Sequence, residues 1–179
     1  DTVRRLGSLQ LDPVATVARP QHLVLWSRLG RFDPGDLERL LWSERALVEW
    51  HAFLWPVETL PLLQAMMRRA RRADTTARER WRKEFLRQNV GFRRYVLSEL
   101  ERRGPLLGRE LEDRSVEERG RHRWYGTRHV GRMLEVLHVR GEVAAGEARR
   151  VGGDLLGGAC GDEPAPGRVS AGSQVDHVV

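Results

Sequence analysis

The apolar residues of this chain fall into short groups at helical spacing, and glycine or proline cuts off nearly every group. Such punctuation favours short helices joined by turns. Val3, Leu6 and Leu9 give Thr2 to Leu11 a helical pattern that Gly7 and Pro13 interrupt. Pro20 suits a first helical turn, and Leu23, Trp26 and Leu29 then recur at helical spacing up to Gly30. Asp33-Pro34-Gly35-Asp36 reads as a turn whose Asp36 caps a helix over Leu37 to Trp42, with Leu37, Leu40 and Leu41 facing inward. One dense run breaks the pattern. Ala46 to Trp55 is crowded with aromatic and apolar residues and ends at Pro56, which predicts a strand or a pair of short strands. Short helices followed by a strand element are the order of a winged helix.

The order repeats further on. Residues 62–88 read as basic helix, with Asp74-Thr75-Thr76 starting a second segment, and serve as a connector. Val90, Tyr95, Val96, Leu97 and Leu100 describe a helix stopped by Gly104-Pro105. A short helix over Pro105 to Glu112 and a longer one over Thr127 to Val139 follow, the latter burying Val130, Met133, Leu134 and Leu137. Gly141 to Ala145 extends, and Gly146 with Arg149 and Arg150 suits the turn and return of a basic wing. After Val151 the glycines and prolines leave few sustained apolar positions, so irregular or disordered chain is expected. The expected fold is mainly α with small β wings, in tandem winged helix-turn-helix units. Its parts are a first unit over 1–63, a connector over 64–88, a second unit over 89–150 and a tail over 151–179.

Charge narrows the function. Residues 1–63 carry 7 Arg/Lys against 8 Asp/Glu, residues 64–140 carry 21 against 11, and residues 141–179 carry 3 against 6. The basicity sits in the middle, and all but Lys83 of the basic residues are arginine. A GC-rich genome is an equal explanation of the Arg:Lys ratio but not of the segregation, which points to a polyanion. The single Cys160 excludes an internal disulfide, no clustered histidines suggest zinc, and no run of eighteen apolar residues occurs. A cytoplasmic protein without cofactor, metal or membrane contact is expected.

Thr127 to Val139 is the natural recognition helix of the second unit, with Arg128, His129 and Arg132 on its polar side. Arg121, Arg123 and Trp124 upstream and Arg149 and Arg150 downstream complete a surface for DNA backbone contacts. A solvated helix face and a loop anchored by Trp124 explain any one of these residues equally well. Trp50, Phe53 and Trp55 are expected in the core rather than as a platform for bases.

Leu6-Gly7-Ser8-Leu9-Gln10-Leu11-Asp12-Pro13-Val14, followed by the stretch from Val17 to Gly30, closely resembles the YcaQ/AlkZ-type winged-helix DNA glycosylases. The likeness continues through Val48-Glu49-Trp50-His51, the stretch from Pro56 to Pro61, Gly104-Pro105-Leu106 and Leu134 to Leu137, and covers residues 3–150. Members carry a Gln-apolar-Gln or Gln-apolar-Asp motif, and Gln10-Leu11-Asp12 matches the second, YcaQ-like form. The resemblance thus implies that Gln10 and Asp12 are the catalytic pair and that His51 lines the pocket. It implies a monofunctional, monomeric enzyme of base excision repair that hydrolyses the N-glycosidic bond of alkylated bases in duplex DNA and unhooks interstrand crosslinks. It also leads to the expectation that the chain is a fragment, since the family's first winged helix begins earlier and further domains follow the second.

Two polar residues separated by one face the same side of an extended segment, so an amide and a carboxylate converge on one water. N7 alkylation makes a purine a cationic leaving group, which needs little acid but gains from a carboxylate near the developing oxocarbenium charge. Spacing alone favours a plainer reading, Asp12 capping a turn before Pro13 with Gln10 in solvent. A noncatalytic winged-helix DNA binder or regulator, and a winged helix used for protein assembly, are the alternatives from the residues themselves.

Overall fold

Gly7 adopts a φ of 80°, a left-handed value that favours glycine, and ends the first helix, α1 (Thr2–Leu6), before it reaches Leu9. The computed structural model describes residues 1–12, 17–116, 128–146 and 168–171. Leu9 lies on a strand, β1 (Leu9–Gln10), and is buried there, where the spacing predicted helix. α2 (Pro20–Leu29) opens on Pro20 and stops at Gly30. It turns Gln21 and Leu25 inward, whereas Leu23, Trp26 and Leu29 are 46%, 60% and 52% exposed. Residues spaced by exactly three drift around a helix of 3.6 residues per turn, and the inward positions belong to the i, i+4 pair instead.

α3 (Pro34–Glu38) is capped by Asp33, whose side chain accepts from the Gly35 amide at 2.8 Å, and not by Asp36. Pro34 takes the first helical position, which places the cap one residue ahead of it, and Asp36 pairs with Arg39 instead. A π-type turn, Arg39–Ser43, leads to β2 (Leu47–Trp50) and β3 (Phe53–Pro56). These pair antiparallel, β1 adds to β3, and the sheet order is β1-β3-β2. Val3, Leu9, Leu25, Leu37, Leu47 and Leu54 form the core of this first unit, whose described part is Asp1–Leu60.

The second unit contains Pro61–Gly146 and the strand at 168–171. α4 (Leu60–Arg72) buries Leu63 and Met67 and shows arginines on its last turns. α5 (Ala77–Gln88) starts in a capping box, in which Thr76 accepts from the Glu79 amide while the Glu79 carboxylate accepts from the Thr76 amide. Those hydrogen bonds hold Glu79 down at about 2. α6 (Val90–Arg103) presents Phe92, Val96 and Leu100 to α7 (Arg128–Val139), which returns Val130, Met133, Leu134 and Leu137 as its spacing predicts. Leu106 and Leu111 close this core around a single 3-10 turn, Gly108–Glu110, where a short helix was expected. Buried Asn89 ties the unit together, accepting from the Val116 amide at 2.7 Å and donating to the Phe85 carbonyl at 2.9 Å.

β4 (Val143–Gly146) pairs antiparallel with β5 (Arg168–Ala171), in a stretch expected to be irregular. The return strand expected through Arg149 and Arg150 falls outside the described residues. Before β4, Gly141 takes a φ of 65° directly against Met67 of α4, and Arg71 donates to the carbonyls of Arg140 and Gly141. Among the described residues no helix is long and apolar enough to cross a membrane.

Candidate functional site

Gln10 occupies the edge strand of the first sheet, and its neighbours follow from the register. Leu9 lies opposite Leu54 and Gln10 opposite Phe53, and the Leu11 amide donates to the Ala52 carbonyl at 2.8 Å. On the far side of β3, Leu54 faces Glu49 and Phe53 faces Trp50. Directly opposed residues of an antiparallel pair project to one face. Leu9, Leu54, Leu47 and Glu49 therefore point to the core, and Gln10, Phe53, Trp50 and Trp55 to the other face. Gln10 is exposed and Asp12 half-buried, and continuing the register brings Asp12 level with the hairpin turn at His51.

The turn is tight because His51 and Ala52 both take left-handed φ values, 56° and 62°, which match the twist of the flanking strands. His51 is exposed, and its ring lies 5.5 Å from that of Trp50. Asp12 is held from behind. Its amide donates to Oε1 of Gln21, at 3.3 Å, and Gln21 is only 5% exposed in the first turn of α2. Gln10, Asp12 and His51, chosen from sequence, thus meet at one end of one sheet. Gln21 was not singled out, because a glutamine among helical residues signals nothing until the tertiary fold buries it.

Glu49 is a half-buried carboxylate on the core face, and burial pushes its pKa up. Trp50, 6% exposed, leaves its indole N–H without a hydrogen-bond partner among the described residues, while Trp55 donates its own to the Trp50 carbonyl at 3.1 Å. Phe53 and Trp55, expected in the core, are half-buried on the Gln10 face, with ring centroids 5.9 Å apart.

The candidate DNA contacts are placed in part. Arg121, Arg123, Trp124, Arg149 and Arg150 lie outside the described residues, as does the side chain of Arg128. His129 is occupied within the fold, its Nδ1 lying 2.9 Å from Ser115 Oγ and 3.4 Å from a carboxylate oxygen of Asp113. Arg132 is exposed with its guanidinium 5.9 Å from the Trp81 ring, which stacks on Phe85. Glu135, one turn on, takes Arg78 at 3.1 Å and Arg82 at 3.4 Å. Glu135 thus ties α7 to α5, while Arg132 stays exposed.

The basic centre sorts itself once partners are assigned. Lys83 pairs with Asp74, Arg87 with Glu84, Arg102 and Arg103 with Glu99, Arg114 with Glu112, and Arg93 and Arg140 with Glu142. Glu142 is desolvated by burial, yet the hydrogen bonds from Arg140 and Arg93 outweigh that and lower its pKa. Arg68, Arg69 and Arg72 on α4, like Arg94 and Arg109, are exposed with no ion pair to any described residue. The three on α4 were read as part of a connector. Among the described residues no group of three or more His, Cys, Asp or Glu side chains is placed to hold a metal.

A family model described as DNA glycosylase AlkZ-like matches residues 3–160 of the chain. No solved structure matches it.

Proposed function

The chain belongs to the AlkZ-like DNA glycosylase family, and from that premise we propose that it hydrolyses the N-glycosidic bond of N7-alkylated purines in duplex DNA, with Gln10 and Asp12 as the catalytic residues. The observation that carries this reading is their placement. An exposed amide ends an edge strand, a half-buried carboxylate follows two residues on, and the backbone of the second is tied to buried Gln21. The carboxylate of Asp12 stabilises positive charge growing on the sugar, while Gln10, donor and acceptor at once, orients the attacking water. Water oxygen bonds to C1′ as the bond from C1′ to N9 breaks. The electron pair of that bond returns to the purine and neutralises its cationic ring, and the water proton passes through Asp12 to solvent. His51, level with Asp12 at the hairpin turn, lines the approach. Crosslinks joined through N7 of a purine contain the same cationic bond, and their unhooking is the same hydrolysis.

Duplex DNA is held by exposed arginines, among them Arg68, Arg69 and Arg72 on α4 and Arg132 on α7, together with the arginines chosen from sequence around residues 121–128 and 149–150. The protein acts as a monomer. Incubation of the full chain with a duplex carrying 7-methylguanine should yield abasic sites, scored by alkaline strand cleavage, and Asp12→Ala should lose them while retaining DNA affinity. The unpaired arginines of α4 also suit a second reading, a noncatalytic DNA binder. That protein would bind the same duplex and generate no abasic sites.

A further inference from the structure

The face of the first sheet that carries Gln10 is unlike the rest of this arginine-rich chain. No residue of β1, β2 or β3 is basic. Phe53 is the direct cross-strand neighbour of Gln10, which puts their Cβ atoms about 4.5–5.5 Å apart. Trp55 stands two residues along on the same face, its ring tilted by 51° to that of Phe53. Trp50, in the same row, is buried. Asp12, two positions from Gln10, adds negative charge at its border. Half-buried aromatic faces beside a carboxylate, with no basic side chain on the strands, are complementary to a flat cation.

We propose that this face is the seat of the damaged base, with Phe53 the ring on which the cationic purine lies and Trp55 its flank. This rests on the reading of Gln10 and Asp12 as the groups that act on the sugar. It adds to that reading the origin of selectivity. An N7-alkylated purine carries its positive charge over the ring system, so the π-face of Phe53 attracts it more strongly than it attracts a neutral purine. An unmodified guanine of nearly the same shape gains stacking alone. The cross-strand pairing fixes the ring beside Gln10, so a base seated on Phe53 has its glycosidic bond at the catalytic pair.

The test compares affinities of the full chain for two duplexes, one with 7-methylguanine on a 2′-fluorinated sugar that resists cleavage, the other with guanine on the same sugar. Wild type should prefer the cationic base. Phe53→Leu, which keeps an apolar side chain but removes the ring, should reduce that preference by about 2- to 30-fold, the range of a cation on an aromatic face. Phe53→Tyr should keep it. A general loss of folding would lower affinity for both duplexes alike and leave their ratio unmoved in the folded fraction. A preference unchanged in Phe53→Leu, one lost equally in Phe53→Tyr, or none in wild type overturns the proposal. Wild type that cleaves no lesion yet shows a preference depending on Phe53 sinks the hydrolytic reading and leaves the base seat standing.

Discussion

Gln21 gives the Asp12 amide a buried acceptor, and the catalytic role assigned to Asp12 depends on that small constraint. Gln21→Leu has similar bulk and removes the acceptor. A hydrogen bond of this kind is worth about 1 kcal/mol, so single-turnover base release should slow roughly fivefold while DNA affinity holds. An unchanged rate would show that the contact does not position Asp12. Glu49 carries the opposite kind of information. Burial raises its pKa, so the native state binds a proton more tightly than the unfolded chain does, and stability falls as pH rises through the two values. Glu49→Gln should therefore raise Tm at about pH 8 and leave it nearly unmoved at about pH 3.5, where the carboxyl is neutral in both states. A Tm that falls at the higher pH would give Glu49 a stabilising partner. Gln10 and Asp12 were legible from the sequence only through resemblance, because their spacing fits a plain turn equally well. The hairpin register shows what spacing cannot, namely which residues share a face.

At the scale of elements, α4, expected as part of a connector, belongs to the second unit and leaves three of its arginines without an ion-pair partner among the described residues. Arg71 donates to the carbonyls of Arg140 and Gly141 and ties the helix to the turn before β4, while Arg68, Arg69 and Arg72 have no ion pair to a described residue. Each phosphate contact contributes about 0.9 to the slope of log affinity against log salt. Replacing all three by glutamine should lower the slope for duplex DNA by about 2–3, and an identical slope would remove α4 from the interface. Periodicity read α7 correctly, since Val130, Met133, Leu134 and Leu137 repeat on one face and are buried together. It could not show α5 beside the exposed edge of that helix. The ion pairs of Glu135 with Arg78 and Arg82 span 57 and 53 residues of sequence and leave no local trace. The same limit applies to α1, where Val3, Leu6 and Leu9 keep helical spacing but the backbone of Gly7 breaks it.

Across the whole molecule, the segregation of arginine and much of the second core were visible in the sequence from charge counting and hydrophobic spacing, whereas Leu25, Leu47 and Leu54 of the first core were not. Partnering was not visible. Part of the central charge is paired within the second unit, by carboxylates such as Glu99, Glu135 and Glu142 that each take two arginines, and a surplus of exposed arginine remains. The proposed function puts DNA affinity and chemistry on different residues, and substitutions should separate them. The most direct measurement is single-turnover release of 7-methylguanine from duplex DNA, with protein in saturating excess, by wild type, Gln10→Ala, Asp12→Asn and the double variant. Asp12→Asn is expected to slow release by about 10²- to 10³-fold at unchanged Kd, the usual loss when one electrostatic stabiliser is removed. The double variant should fall little further, since the two groups act as a unit. Release by Asp12→Asn at the wild-type rate would contradict the assignment of the site.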